Sequence, residues 1–252
     1  MSMQEWKCLV AAGLIALATS HNPAYALMID DFTQGPITLG SEGSNLGGGV
    51  SETQTGLDPN HVVAGTRELF VATVTSDSVV TPTTLTIHPD AIDGRLRVTS
   101  ATVDGDDRPI TYFIVRYGSE DTPLNFDATQ HGNAIKIHNI RTNFENENLS
   151  PLHDMIRVAD EDGASAVPFE VPGNDGAFDL ILPFSSFDAD FENVHYIDFI
   201  FARARQRDAF IAFDAISIVP EPGSLALLGL SGITLLWRRR PELRCASRLN
   251  RP

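Results

Sequence analysis

The chain has 252 residues, with 33 Asp and Glu against 18 Lys and Arg, a formal net charge of −15. Such acidity argues against nucleic acid as a partner, because phosphate binding rests on patches of Lys and Arg. The two cysteines, Cys8 and Cys245, lie near the chain ends, so the stretch between them can form no disulfide and must stand on its hydrophobic core.

Residues 1–26 follow the grammar of a secretory signal peptide. Lys7 supplies a positive start, residues 8–18 (CLVAAGLIALA) an apolar run, and Ala24-Tyr25-Ala26 a small-x-small cleavage site. Signal peptidase cutting after Ala26 starts the mature protein at Leu27; an uncleaved signal anchor is the alternative. Residues 27–218 are long enough for one domain of ordinary size, and they concentrate the acidity. Through residue 219 they hold 30 Asp and Glu against 11 Lys and Arg, a net of −19. A solvated acidic surface accounts for this, and divalent counter-ions are compatible with it.

Period-two apolar patterns bounded by turn residues run through the domain, with no 3.6-residue stripe. Strands are expected at 27–32, at the start of 37–56 before a Gly47-Gly48-Gly49 loop, and at 67–75, 85–88, 95–103 and 109–117. Others follow at 134–140, 155–159, 168–171, 178–182, 195–201 and 209–219. Asp104-Gly105-Asp106-Asp107 predicts a hairpin between its flanking strands, since Asp-Gly suits the positive φ angles of a tight turn. Many short strands split by Gly, Pro, Asn and Asp predict an all-β fold, an antiparallel β-sandwich of the jelly-roll kind.

Few residues call for chemistry. Asp160-Glu161-Asp162-Gly163 offers closely spaced oxygens before a glycine turn, making Asp160 and Asp162 the candidate calcium ligands. An exposed acidic hairpin turn is the alternative reading. Asp30-Asp31, opening the domain, is a second acidic pair. Asp198 and Asp214 interrupt apolar strands, and a buried carboxylate needs partners; backbone N–H groups at a sheet end, or solvent, would supply them. Seven histidines show no zinc spacing, and nucleophile elbows, phosphate loops and dinucleotide fingerprints are missing. No catalytic residue and no cofactor beyond calcium is therefore expected. Tryptophan occurs only at Trp6 and Trp237, outside the domain, which leaves Tyr112, Tyr117, Phe126 and Phe144 as rings for a sugar-binding face, or for the core.

The chain then changes character. Val219-Pro220-Glu221-Pro222-Gly223-Ser224 leads into an apolar run over residues 225–237 and the cluster Arg238-Arg239-Arg240. The run is shorter than the ~20 residues of an ordinary spanning helix, but with Gly223, Ser224 and the arginine stems it is expected to cross as a single hydrophobic helix through bilayer thinning or snorkelling, the arginines staying on the cytoplasmic side. A buried C-terminal helix is the alternative. Part by part this stretch, 219–240, resembles the PEP-CTERM sorting signal. The resemblance implies export across the inner membrane of a Gram-negative bacterium, transient anchoring, and cleavage near the motif by an exosortase. The tail 241–252 continues past the arginines, where members of that family usually stop.

A second resemblance lies in the domain. Residues 178–182, Pro183-Phe184-Ser185-Ser186-Phe187 and the strands at 196–201 and 210–218 resemble the closing strands of galactose-binding-like jelly rolls, a fold often used for carbohydrate or surface binding. Together these features lead to an exported cell-surface or matrix protein with a non-catalytic binding or structural sandwich, in an exopolysaccharide setting. An extracellular hydrolase acting on polysaccharide is the rival; it needs two carboxylates facing each other across a cleft.

Overall fold

The computed structural model describes residues 26–41, 49–74, 79–92, 94–100, 102–103, 110–143, 154–171, 176–204 and 209–221. Two antiparallel sheets account for most of them. Sheet I contains β1 (Leu27–Asp30), β2 (Ile37–Ser41), β6 (Thr83–Ile87), β7 (Leu96–Thr99), β10 (Ala134–Thr142), β13 (Phe178–Pro183), β15 (Phe210–Phe213) and β16 (Ala215–Val219). Sheet II runs in the order β12 (Ala164–Phe169), β11 (Asp154–Ala159), β14 (Tyr196–Ala204), β9 (Ile110–Tyr117), β4 (Arg67–Val74), β3 (Gly49–Gln54). The short strands β5 (Val79–Thr81) and β8 (Thr102–Val103) pair with each other. Among the described residues the helical elements are short 3-10 turns, and no helix is long and apolar enough to cross a membrane.

Alternation builds the core. In β9, Thr111, Phe113, Val115 and Tyr117 are buried while Tyr112, Ile114 and Arg116 are half-buried on the other face. Inward residues of the two sheets meet in one cluster, as expected for sheets that each have one apolar face. Aromatic rings run through it: Phe213 lies 5.5 Å from Phe32 and 5.4 Å from Phe201, and Phe201 stacks on Phe113 at 4.7 Å.

Two facing irregularities interrupt sheet I at β10 and between β15 and β16. Asn139 sits in β10 with φ 57°, and Asp214 separates β15 from β16. The Asn139 amide donates to Asp214 Oδ2, and the Asp214 N–H donates to the His138 carbonyl at 3.0 Å. Each irregularity shifts the alternation by one residue. Ile135, Ile137 and Ile140 thus all face inward, as do Ile211, Phe213, Ile216 and Ile218. β16 lies between β10 and β1, while β15, its continuation, lies between β10 and β7.

Two expectations change. The strands flanking 104–107 form no hairpin: β7 pairs with β6 and β15 in sheet I, whereas β9 pairs with β4 and β14 in sheet II. Asp-Gly signals a reversal, but inward residues on both strands are satisfied equally well on opposite sides of the core. The Gly-rich stretch also ends in a strand, β3, whose residues are almost all exposed. An edge strand with no buried face shows no alternation to read.

Candidate functional site

The outward face of sheet II gathers the side chains that the core leaves over. Register places Glu68, Arg116, Asp198 and Arg157 in one row across β4, β9, β14 and β11. Four adjacent strands at about 4.8 Å spacing give this row a span of about 14 Å. The neighbouring row holds Phe70, Ile114, Ile200 and Met155, and the next sets Tyr112 between Ala72 and Ala202.

Asp198 is the centre of the charged row. Its side chain is fully buried, and its Oδ1 accepts from Arg116 Nε at 2.7 Å while Oδ2 accepts from Arg116 Nη2 at 3.1 Å. Arg157 donates to Oδ2 through Nε at 2.8 Å and also through Nη2. Its partners are therefore two arginines of neighbouring strands rather than backbone N–H groups or solvent, which offsets the cost of burying a carboxylate. The hydrogen bond to Asp198 holds the Arg116 guanidinium above the ordinary arginine range. Glu68 Oε2 lies 3.6 Å from Arg116 Nη1, so two cations alternate with two anions. Both guanidiniums also sit against Tyr196, at 5.6 and 5.5 Å from its ring centroid.

The apolar rows are shaped by a glycine. A Cβ at Gly49 would overlap the Phe70 ring, so the glycine lets that ring lie over β3. Phe70 and Tyr112 are then 5.5 Å apart and tilted by 41°. Half-buried rings thus lie beside a self-neutralised polar row, offering apolar contact area next to fixed N–H donors. The carboxylates here share a row with an arginine between them, an arrangement suited to ion pairing rather than to an acid and a base.

The other residues singled out in the sequence are dispersed. Tyr112 is on this face. Tyr117 is fully buried and donates its hydroxyl to Asp30 at 2.8 Å, Phe126 packs against the core, and Phe144 lies outside the described residues. Asp160 sits in the β11–β12 turn, where Oδ1 accepts the N–H groups of Asp162 (2.8 Å) and Gly163 (3.0 Å) and Oδ2 that of Asp190 (2.6 Å). These bonds, that of Asp190 foremost, hold its carboxyl below the usual range. Asp162 is exposed in the same turn. Among the described residues no three His, Cys, Asp or Glu side chains are grouped to hold a metal ion. Asp30 forms an ion pair with Arg67 at 2.7 Å, a cation already present in the chain. Phe70, Arg116, Arg157 and Tyr196 were not singled out. Their signal was the outward half of each alternating strand, where arginines and rings take places that Ser, Thr and Lys usually hold.

At the other end of the domain, Val219 closes β16, half-buried, and Pro220 and Glu221 follow exposed. The PEP-CTERM protein-sorting motif matches residues 219–240. This chain carries a PEP-CTERM sorting motif. The PEP-CTERM motif marks an exported protein of Gram-negative bacteria that is transiently membrane-anchored and processed by an exosortase. Pro222, the apolar run, Arg238, Arg239, Arg240 and the tail 241–252 lie outside the described residues, as does the signal segment through Ala24 and Tyr25. Ala26 is described and exposed just before β1. Among solved structures, the family 11 carbohydrate-binding module from Clostridium thermocellum, in complex with a beta-1,3-1,4-mixed-linked tetrasaccharide, is similar. It shares 15% identity over 79% of this chain and 98% of that chain, with a TM-score of 0.37. No curated protein matches the chain.

Proposed function

We propose that the protein is an exported glycan-binding protein of the cell surface or extracellular matrix, and that the outward face of sheet II is its binding face. The ring and guanidinium platform carries this reading. Pyranose rings present apolar C–H faces and hydroxyl edges together, and Phe70 and Tyr112 offer surface for the first while the fixed arginine row offers partners for the second. Export through the PEP-CTERM motif supports a setting in which polysaccharide is the abundant ligand. In this reading signal peptidase leaves Leu27 as the first residue, the anchor holds the protein at the inner membrane, and exosortase releases it.

Phe70→Ala and Tyr112→Ala test the reading, since both side chains are half-buried on an outer face and outside the core cluster. On a glycan array, each substitution in the full-length protein in detergent is expected to weaken glycan binding on the order of tenfold or more, the loss expected of an anchor ring. Their far-ultraviolet circular dichroism should stay that of the parent. Unchanged glycan binding by both variants, or a parent that binds no glycan, would remove the proposal.

A further inference from the structure

We infer that the glycan held on sheet II is uncharged; the inference rests on the glycan-binding reading above and narrows it. Arginines on a sugar-binding face ordinarily suggest uronates or other acidic sugars, which a guanidinium grips in a bidentate fork. Here the fork is already occupied. Arg116 and Arg157 each turn Nε and Nη2 to the buried Asp198, and Arg116 has Glu68 at its third nitrogen. The row Glu68–Arg116–Asp198–Arg157 has no net charge, and its cations are committed to a carboxylate of the chain itself.

The surroundings act in the same direction. Residues 27–219 carry a net of −19, and at physiological salt charges within about 8 Å are felt with little screening. A carboxylate-bearing chain laid across the platform would meet an acidic domain and, in the described row, arginines whose forks are already paired with Asp198. What the row leaves for a ligand is the outward surface of two immobilised arginines, 30% and 34% exposed. These can donate to neutral hydroxyl oxygens without being released from Asp198. Among the described residues, Phe70, Ile114, Ile200 and Met155 fill the neighbouring row, with Ser51 at its β3 end, and Tyr196 lies against both guanidiniums. The platform therefore recognises hydroxyl edges and C–H faces.

Full-length protein in detergent micelles is titrated with dextran, β-glucan and galactan, and separately with alginate and polygalacturonate, at low and high salt. The expected result is binding to at least one neutral polymer with little salt dependence, and none to the uronates. Binding to uronates that falls with salt would overturn the inference while leaving glycan binding intact. Binding to neither class would remove the glycan reading and this inference with it. Asp198→Asn, which strips the anion that occupies both arginines, is expected to gain uronate binding on the order of tenfold. Glu68→Gln, at the exposed end of the row, keeps the test open should the first variant not fold, and is expected to gain in the same direction. No gain in any folded variant would mean that charge balance does not select the ligand.

Discussion

Arg67 is fully buried, and the chain meets all of its nitrogens. Nη1 donates to both oxygens of Asp30 at 2.9 and 2.7 Å, Nε to Gln54 Oε1 at 2.8 Å, and Nη2 to the carbonyls of Gln34 and Gly35. Asp30 also accepts from Phe32 N–H at 2.7 Å and from the Tyr117 hydroxyl. Removing one member of such a pair strands the other, so Arg67→Met is expected to cost about 3–5 kcal/mol. Urea unfolding measures it, and a loss below 1 kcal/mol would show that Asp30 finds other compensation. Next to it, His61 Nδ1 lies 2.6 Å from Asp31 Oδ2. The bond to Asp31 raises the His61 pKa above its ordinary 6.5. Burial pushes Asp31 up, but bonds from Thr33 and His61 bring its pKa below 3.8. The pair's contribution is therefore complete between about pH 4 and 6.5. It is lost as pH rises through the raised value of His61, and again as pH falls through the lowered value of Asp31. His138, whose pKa burial lowers, adds an opposite trend in the same window, so the test is the difference: from pH 6 to 8 the melting temperature of the parent should drop relative to that of His61→Gln, and parallel profiles would deny the pair its role. The sequence showed Asp30-Asp31 as two acids and nothing more, because Arg67, Tyr117 and His61 reach them from distant strands and loops.

Strands were the most legible part of the chain. Those at 67–75, 109–117 and 178–182 match β4, β9 and β13 to within a residue or so, because each has one wet and one dry face. Pairing was not legible, as β7 and β9 demonstrate, since alternation states which residues are dry and not which neighbour dries them. The candidate face was half legible for the same reason. Asp198 stood out as a carboxylate in an apolar run, whereas Arg116 and Arg157 looked like ordinary outward residues until register set them on either side of it. Close approach of strand ends was also hidden. The Asn133 N–H donates to the Val219 carbonyl at 3.1 Å, and Gly132 lies so near that a Cβ there would overlap this carbonyl. Gly132→Ala must displace the end of β16 and is expected to cost on the order of 1–3 kcal/mol. Thermal unfolding is the measurement, and an unchanged midpoint would mean that the strand end yields freely.

At the scale of the molecule, a sandwich of two sheets is joined directly to a sorting motif. Val219 is both the last residue of β16 and the first of the PEP-CTERM match. Pro222→Ala is expected to leave the protein uncleaved in the membrane fraction, because the proline-framed motif presents a stiff backbone to the processing enzyme. Release at the parent's rate, followed by immunoblot of membrane and medium, would count against that role. The position of the junction has a mechanical side as well. On the glycan-binding reading proposed above, drag on a bound polymer is resisted through Val219 and passes along β16 until the anchor is removed. That strand is interior to its sheet, held by β10 on one side and β1 on the other. Tension along it loads two ladders of hydrogen bonds in shear, all at once, where an edge strand would peel one bond at a time. The tether pulls on a strand that is paired on both sides.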